Sequence, residues 1–68
     1  MKPVSGKDFA KLLKRNGWQL LRIQGSHHIY GKSGSDVRLS FPIHKHQTLK
    51  IGLQKHLMKL ANLSDSDL

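Results

Sequence analysis

Two short turn sequences in the middle of this chain limit the folds open to it more than any other feature. Gly25-Ser26 separates an alternating segment that begins at Trp18 from a second segment, His27 to Lys32. The cluster Ser33 to Asp36 separates that segment from a third, Val37 to Phe41. Strands joined by such tight connections pair as antiparallel neighbours, because a parallel pair needs a long crossover. The sequence therefore predicts a three-stranded antiparallel meander.

Alternating apolar residues support the strand assignment. They are Leu21 and Ile23 in the first strand and Val37, Leu39 and Phe41 in the third. Pro42 is expected to end the third strand, since proline lacks the N–H that a sheet requires. The second strand leaves two alternatives, because either Ile29 or the pair His28 and Tyr30 could face the core.

Helical spacing flanks the strands on both sides. Ser5 followed by Asp8 forms a capping-box pattern, which predicts a first helix from Gly6 to Arg15. Asn16-Gly17 is expected to end that helix, because glycine readily adopts the left-handed conformation found there. Its apolar side is Phe9, Leu12 and Leu13.

The second helix is predicted to follow a cap at Thr48 and to reach about Ala61, where Asn62-Leu63 can end it. Its apolar stripe is Leu49, Leu53, Leu57 and Leu60, with Gln54 off the stripe. Residues 64–68 are expected to form a flexible tail. The predicted order is α-β-β-β-α, an α+β two-layer sandwich with both helices on one face of the sheet, in a single domain over residues 1–68.

The charge of the chain points to a polyanionic partner. All twelve Lys and Arg lie within residues 1–63 with only Asp8 and Asp36 against them, which gives that part a formal charge of +10. Nucleic acid is the commonest polyanion that such a surface meets. The chain has no Glu and no Cys, so paired carboxylates, carboxylate-held metal pairs and thiolate sites are hard to build. No apolar run could span a bilayer and no hydrophobic signal segment is present, so we expect a cytoplasmic protein.

Five histidines are the remaining candidates for chemistry. His56 lies beside the leucine stripe and is interpreted as a surface residue. His44 and His46 have the spacing of metal ligands, but without a third ligand a phosphate contact is the better interpretation. His27 and His28 follow the Gly25-Ser26 turn and project to opposite faces of a strand, so only one of them can serve a given site.

One histidine beside a basic surface suits a particular hydrolytic reaction. RNA carries its own nucleophile, the 2′-hydroxyl, so cleavage needs only proton transfers and cations near the phosphate. Histidine can carry out the proton transfers, and Lys or Arg can supply the cations. Such a reaction needs no metal or cofactor. Residue types alone permit such a ribonuclease but favour plain nucleic-acid binding.

The pattern as a whole resembles the HicA (YcfA-like) toxins of bacterial toxin–antitoxin pairs. The resemblance covers nearly the whole chain and is carried by Ser5-Gly6-Lys7, Leu12-Leu13-Lys14, Asn16-Gly17-Trp18, Gly25-Ser26-His27-His28 with Tyr30, Pro42 with His44, and Gly52 in the last helix. The segment from Gly25 to His28 is the specific part. The resemblance implies a double-stranded-RNA-binding-like fold and an endoribonuclease that cleaves mRNA.

The family pattern reads Gly-Ser, a variable residue, then His, so the family's catalytic histidine corresponds to His28. Gly25 and Ser26 then correspond to the turn that presents it, and His27 is interpreted as a substrate contact. The aromatic at Tyr30 implies that this side of the second strand packs on the core. The resemblance also implies a HicB-type antitoxin that covers the active surface. We expect a monomer alone and a hetero-oligomer with the antitoxin.

Further RNA contacts are expected from basic and polar residues around the strands. They are Arg22, Lys32 and Arg38, chosen by strand position alone, and His44 and Lys45 in the loop after the third strand. A non-catalytic double-stranded-RNA-binding module is the alternative prediction, because recognition of RNA shape needs no particular histidine. A purely structural domain with an acidic partner is a third class.

Overall fold

Helix α1 begins and ends at the residues that the sequence predicts. The computed structural model describes all 68 residues, and α1 spans Gly6–Arg15. Ser5 caps the helix, because the Asp8 N–H donates to Ser5 Oγ at 3.1 Å. Gly17 follows the helix with a φ of +89°. A left-handed residue just after the last turn is a common helix stop, and glycine adopts it without a side-chain clash.

Three antiparallel strands follow α1 and confirm the predicted meander. They are β1 (Trp18–Gln24), β2 (His27–Lys32) and β3 (Leu39–Pro42), and they form one sheet in the order β1-β2-β3. β3 starts at Leu39 rather than Val37, because the Val37 N–H donates to Ser35 Oγ at 3.1 Å within the preceding turn. Helix α2 (Ile51–Leu60) completes the predicted α-β-β-β-α order.

The strand register decides which face of β2 packs on the helices. Tyr30 pairs with Leu39, and His28 pairs with Phe41. Directly paired residues of neighbouring strands share a face, and Tyr30, Leu39 and Phe41 are all buried. The core face of β2 therefore carries Tyr30 and His28. The sequence left open whether Ile29 or the pair His28 and Tyr30 faces the core. The structure selects His28 and Tyr30, and Ile29 lies on the other face.

Both helices cover that same face of the sheet. A single cluster of buried side chains joins Phe9 and Leu13 of α1 and Leu57 of α2 to the core face. The rings of Phe9 and Phe41 meet edge to face, with centroids 5.3 Å apart. The α+β two-layer arrangement predicted from the sequence is thus confirmed.

The apolar residues of β1 lie largely outside the core. Alternation is typical of a strand with one buried face, yet Leu21 and Ile23 are 50% and 54% exposed. A bulge between Leu20 and Arg22 shifts the register with β2. Leu21 instead covers Gly31 on the outer face, where a Cβ on Gly31 would come within 2.6 Å of a Leu21 methyl carbon. Within β1 the core takes in Trp18, which is 4% exposed, and leaves Leu21 and Ile23 open to solvent.

The start of α2 differs from the prediction. Thr48 is predicted to cap the helix, but α2 begins at Ile51, and Lys50 precedes it without a side-chain capping bond. Thr48 forms a β-bridge with Ser5 instead, and the Leu49 N–H donates to the Val4 carbonyl at 2.9 Å. Pairing with the N-terminal segment holds this stretch extended and delays the helix.

The side chain of Gln54 in α2 faces the N-terminal segment and is fully buried. Its position off the leucine stripe predicts an exposed side chain instead. Its Nε2 donates to the Lys2 carbonyl at 2.7 Å, and its Oε1 accepts from the Val4 N–H at 3.2 Å. A buried amide is tolerated when both of its ends are hydrogen-bonded. Leu60, predicted within the stripe, is instead 40% exposed.

The end of α2 follows the prediction, and a short turn lies after it. Asn62 has a φ of +59°, and the Leu63 N–H donates to the Met58 carbonyl at 2.8 Å, which is a Schellman stop. Residues 64–68, expected to be a flexible tail, contain a 3-10 turn at Asp65–Asp67. The turn forms because the Ser64 N–H donates to Asp67 Oδ2 at 2.8 Å. Neither helix has the length and apolarity to cross a membrane.

Replacing Gln54 by alanine tests its role in stability. Gln54→Ala is expected to lower the free energy of unfolding by about 2–3 kcal/mol, because the Lys2 carbonyl and the Val4 N–H lose their partners. Urea unfolding followed by Trp18 fluorescence measures the change. Gln24→Ala removes the same side chain from an exposed position in β1 and should cost less than about 0.5 kcal/mol. Equal unfolding midpoints for the two variants would contradict the role of the buried amide.

Candidate functional site

The Gly25-Ser26 turn positions the two histidines at the start of β2. Gly25 has a φ of +59°, whereas Ser26 has a negative φ, a combination typical of a type II′ hairpin turn. The Ser26 carbonyl accepts from the Ile43 N–H at 2.9 Å. The turn is therefore tied to the loop that follows β3, and this bond holds the start of β2 beside that loop.

His28 lies on the core face of β2, near the turn. It pairs with Ile23 in β1 and with Phe41 in β3, and it is half-buried. Tyr30, the next residue on this face, stacks on Phe41 with ring centroids 5.6 Å apart and an interplanar angle of 9°. The stacked rings fix the strand next to the imidazole, which makes no side-chain hydrogen bond within the chain.

The buried Tyr30 phenol contributes packing rather than charge to this region. Burial raises the pKa of Tyr30 above its ordinary value of 10.0, because a phenolate is disfavoured away from water. The ring beside His28 in the strand is therefore neutral at physiological pH. It supports the strand by packing alone.

His27 is exposed and lies on the opposite side of β2 from His28. It pairs with Gln24 and Pro42, and successive residues of a strand project to opposite faces. The two histidines therefore cannot act from the same direction, in line with the interpretation of the sequence.

A groove of about 420 Å³ lies beside His27, between the end of β3, the loop after it and the start of α2. Its apolar floor is Pro42, Leu49 and Leu53. Its polar rim consists of exposed residues, which are His27, His44, Gln47, Thr48 and Lys50. The structure thus brings together two residues predicted to contact RNA, His27 and His44, with three that the sequence analysis did not select.

Gln47, Thr48 and Lys50 were not apparent as rim residues because no local pattern marks them. Thr48 matches a helix cap, and the other two match ordinary solvent-exposed positions. They line one groove because the extended pairing of residues 48–49 with the N-terminal segment holds this stretch beside β3. That pairing joins distant parts of the chain, so it leaves no signal in local periodicity.

Lys32 and Arg38, predicted to contact RNA near His28, lie toward the other end of the sheet. Lys32 is the fourth residue after His28 in β2, roughly 13 Å along an extended strand. Its ammonium lies 5.7 Å from the centroid of the Trp18 ring. The Arg38 guanidinium donates to two carbonyls of the preceding turn at 3.2 and 3.1 Å. The structure does not bring these two residues next to His28.

Arg22 and Lys45 occupy two further positions. Arg22 is exposed and pairs with Ile29, on the face of the sheet opposite to His28. Lys45 is exposed in the loop after β3 and has a φ of +44°, a left-handed conformation that is costly for a residue with a side chain. The Gln47 N–H donates to the His44 carbonyl at 2.8 Å. This turn keeps two rim residues of the groove adjacent.

The positive charge of the surface is largely uncompensated. None of the side-chain hydrogen bonds joins a Lys or Arg to an Asp, although the chain has twelve of the former and four of the latter. No three His or Asp side chains lie close enough together to hold a metal ion. Cations that are free of internal partners attract polyanions from solution.

Fold and site together define a small cationic α+β domain in which a tight hairpin turn presents a histidine. The sequence model of the family described as HicA toxin of bacterial toxin-antitoxin matches residues 6–63. This match covers most of the chain, so the chain belongs to the HicA toxin family. No curated protein shows significant similarity to it. Family membership gives the chain the role of a toxin whose partner is an antitoxin.

The conformation of Gly25 yields a test of the turn. Gly25→Ala is expected to destabilise the fold by roughly 1 kcal/mol, because a side chain disfavours the left-handed backbone even where no neighbour clashes with it. Gly25→Asn is the matched control and should cost less, since asparagine tolerates this conformation better than alanine. Urea unfolding compares the two. If alanine were as stable as glycine, the turn would not require a left-handed residue.

Proposed function

We propose that this HicA-family toxin is an endoribonuclease that cleaves mRNA, with His28 as a proton carrier in the reaction. The observation that carries the proposal is the placement of His28. It is half-buried at the start of β2, on a strand fixed by the stacking of Tyr30 on Phe41, in a strongly cationic chain. Membership of a toxin family supports the proposal.

RNA supplies the nucleophile for this reaction. The 2′-oxygen loses its proton and attacks the adjacent phosphorus, the bond from phosphorus to the 5′-oxygen breaks, and that oxygen takes up a proton. The products are a 2′,3′-cyclic phosphate and a 5′-hydroxyl. Histidine is the side chain that most often acts as a general acid or base, so His28 is proposed to accept the first proton or donate the second.

Cationic residues supply the electrostatic part of the proposed mechanism. Negative charge develops on the phosphate oxygens in the transition state, and fixed cations nearby stabilise it. Lys45 and Lys50 lie in the loop segment next to the start of β2 and are proposed to act there. Arg22, Lys32 and Arg38 are proposed to contact phosphates farther along the RNA, since the structure separates them from His28 by face or by distance.

A HicB-type antitoxin is proposed to block the same surface. An acidic protein complements the uncompensated positive charge of the toxin and associates rapidly through it. Binding over His28 would exclude RNA and neutralise the toxin. The mRNA substrate would place the activity in the cytoplasm.

Replacing His28 tests the catalytic assignment. His28→Ala is expected to reduce the rate of mRNA cleavage by at least about 100-fold, because a positioned acid or base contributes that much or more. His56→Ala, which removes an exposed histidine from α2, is the control and should retain activity. Circular dichroism confirms that both variants fold. Unchanged cleavage by His28→Ala would exclude His28 as the proton carrier. Wild-type chain that binds RNA and leaves it intact would favour the non-catalytic RNA-binding module.

The chemistry of the cut ends provides an independent test. Cleavage by the 2′-hydroxyl should leave a 2′,3′-cyclic phosphate and should persist in EDTA, since the proposed reaction uses only side chains and RNA. Mass spectrometry of a short cleaved RNA, with and without EDTA, identifies the ends. A 3′-hydroxyl end, or complete loss of cleavage in EDTA, would indicate attack by water or a metal-bound hydroxide instead.

A further inference from the structure

We infer that the groove beside His27 binds one unstacked nucleotide of a single-stranded RNA. The inference rests on the proposed function and adds to it the form of RNA that the site accepts. The groove lies at the end of the sheet where β2 starts, and His27 in its rim is the sequence neighbour of His28. A nucleotide held there lies beside the first residue of β2.

The size of the groove suits a single nucleotide. Its volume is about 420 Å³, whereas pockets for small ligands range from roughly 300 to 1,000 Å³. A base within a duplex is stacked and paired, so it cannot enter such a groove. Proteins that read RNA bases generally bind single-stranded segments, whose bases can turn outward and pack on side chains.

The lining of the groove matches the parts of a nucleotide. The floor of Pro42, Leu49 and Leu53 offers apolar surface to the face of a base. The imidazoles of His27 and His44 offer flat rings for stacking, which histidine provides in RNA-binding proteins. This combination binds a base face without selecting its identity.

Polar groups on the rim can select the base and hold its phosphate. The Gln47 amide both donates and accepts hydrogen bonds, as does the Thr48 hydroxyl, and base edges present the same two kinds of group. Lys50 supplies a cation for the phosphate. All three side chains are exposed, and none of them makes a side-chain hydrogen bond within the chain.

The absence of carboxylates distinguishes this groove from a larger one on the chain. A groove of about 610 Å³ lies between the N-terminal segment, α1 and the C-terminal turn, and its lining mixes the carboxylates Asp8 and Asp67 with the cations Lys2, Lys11, Lys14 and Arg15. No carboxylate lines the groove beside His27. An anionic nucleotide therefore meets no like charge there.

Titration of the full-length chain with nucleotides tests the inference directly. AMP, CMP, GMP and UMP are added in turn to isotope-labelled protein, and ribose 5-phosphate serves as the control without a base. At least one nucleotide should shift the amide resonances of residues 44–53 in NMR spectra, and ribose 5-phosphate should shift them much less. Equal shifts from ribose 5-phosphate, or shifts spread over α1 alone, would overturn the inference.

A matched pair of variants assigns the contacts to the groove. Gln47→Ala with Lys50→Ala should weaken binding of the preferred nucleotide by at least about tenfold. Gln19→Ala with Lys55→Ala removes the same side-chain types from exposed positions outside the groove and should change binding less than about twofold. Equal weakening by the two double variants would show non-specific charge attraction and overturn the inference.

Competition between RNA forms separates this inference from the proposed catalysis. In the His28→Ala chain, which leaves RNA intact under the proposal, a short single-stranded RNA should bind at least about tenfold more tightly than a duplex of the same sequence. Groove binding without cleavage by the wild-type chain would overturn the catalytic proposal alone. Preference for duplex, or groove shifts with an acidic partner protein and with no nucleotide, would overturn the groove assignment alone.

Discussion

Phe41 joins the helical layer, the core of the sheet and the proposed catalytic strand at one point. Its ring meets Phe9 of α1 edge to face and stacks on Tyr30 of β2, while its backbone lies opposite His28. Aromatic pairs of this kind contribute about 0.5–1.5 kcal/mol each beyond the burial of their surface. A domain this small buries little apolar surface, so these contacts are a large part of its stability. Packing of the core and orientation of His28 therefore depend on the same ring.

Uncompensated charge is the second constraint on this molecule. Lysines and arginines that lack carboxylate partners repel one another, which destabilises the compact state and favours any ligand that neutralises them. A polyanion that binds only the folded chain stabilises it by mass action. RNA and an acidic antitoxin would both have this effect, because either one would reduce the repulsion among the same lysines and arginines. Under the proposed function, charge alone would make RNA and the antitoxin compete, before any specific contact is considered.

Local signals were sufficient to predict the order of elements, but not which face of β2 carries His28. The Ser5 cap, the left-handed Gly17 and the Gly25-Ser26 turn each act within a few residues, and each is found where expected. The family pattern then selected one histidine among five. Position along a strand predicted the RNA contacts less well. It placed Lys32 and Arg38 near His28, although several residues of extended chain separate them from it.

Features that depend on distant parts of the chain could not be predicted in the same way. Gln54 is polar, yet it shares the helical spacing of the buried residues Leu57, Met58 and Ala61, and only its bonds to the N-terminal segment explain its burial. The groove is formed by residues from the start of β2, the end of β3 and the segment before α2. No window of neighbouring residues contains these three parts.

The Gln54 side chain also determines when the site can form as the chain is synthesised. Its two partners, Lys2 and Val4, lie 52 and 50 residues earlier in the sequence, and contacts of such separation close late because they carry a large loop entropy. The segment that precedes α2 is held by the same N-terminal residues. The lining residues of the groove extend from His27 to Leu53, so the groove cannot be completed until most of the chain has left the ribosome.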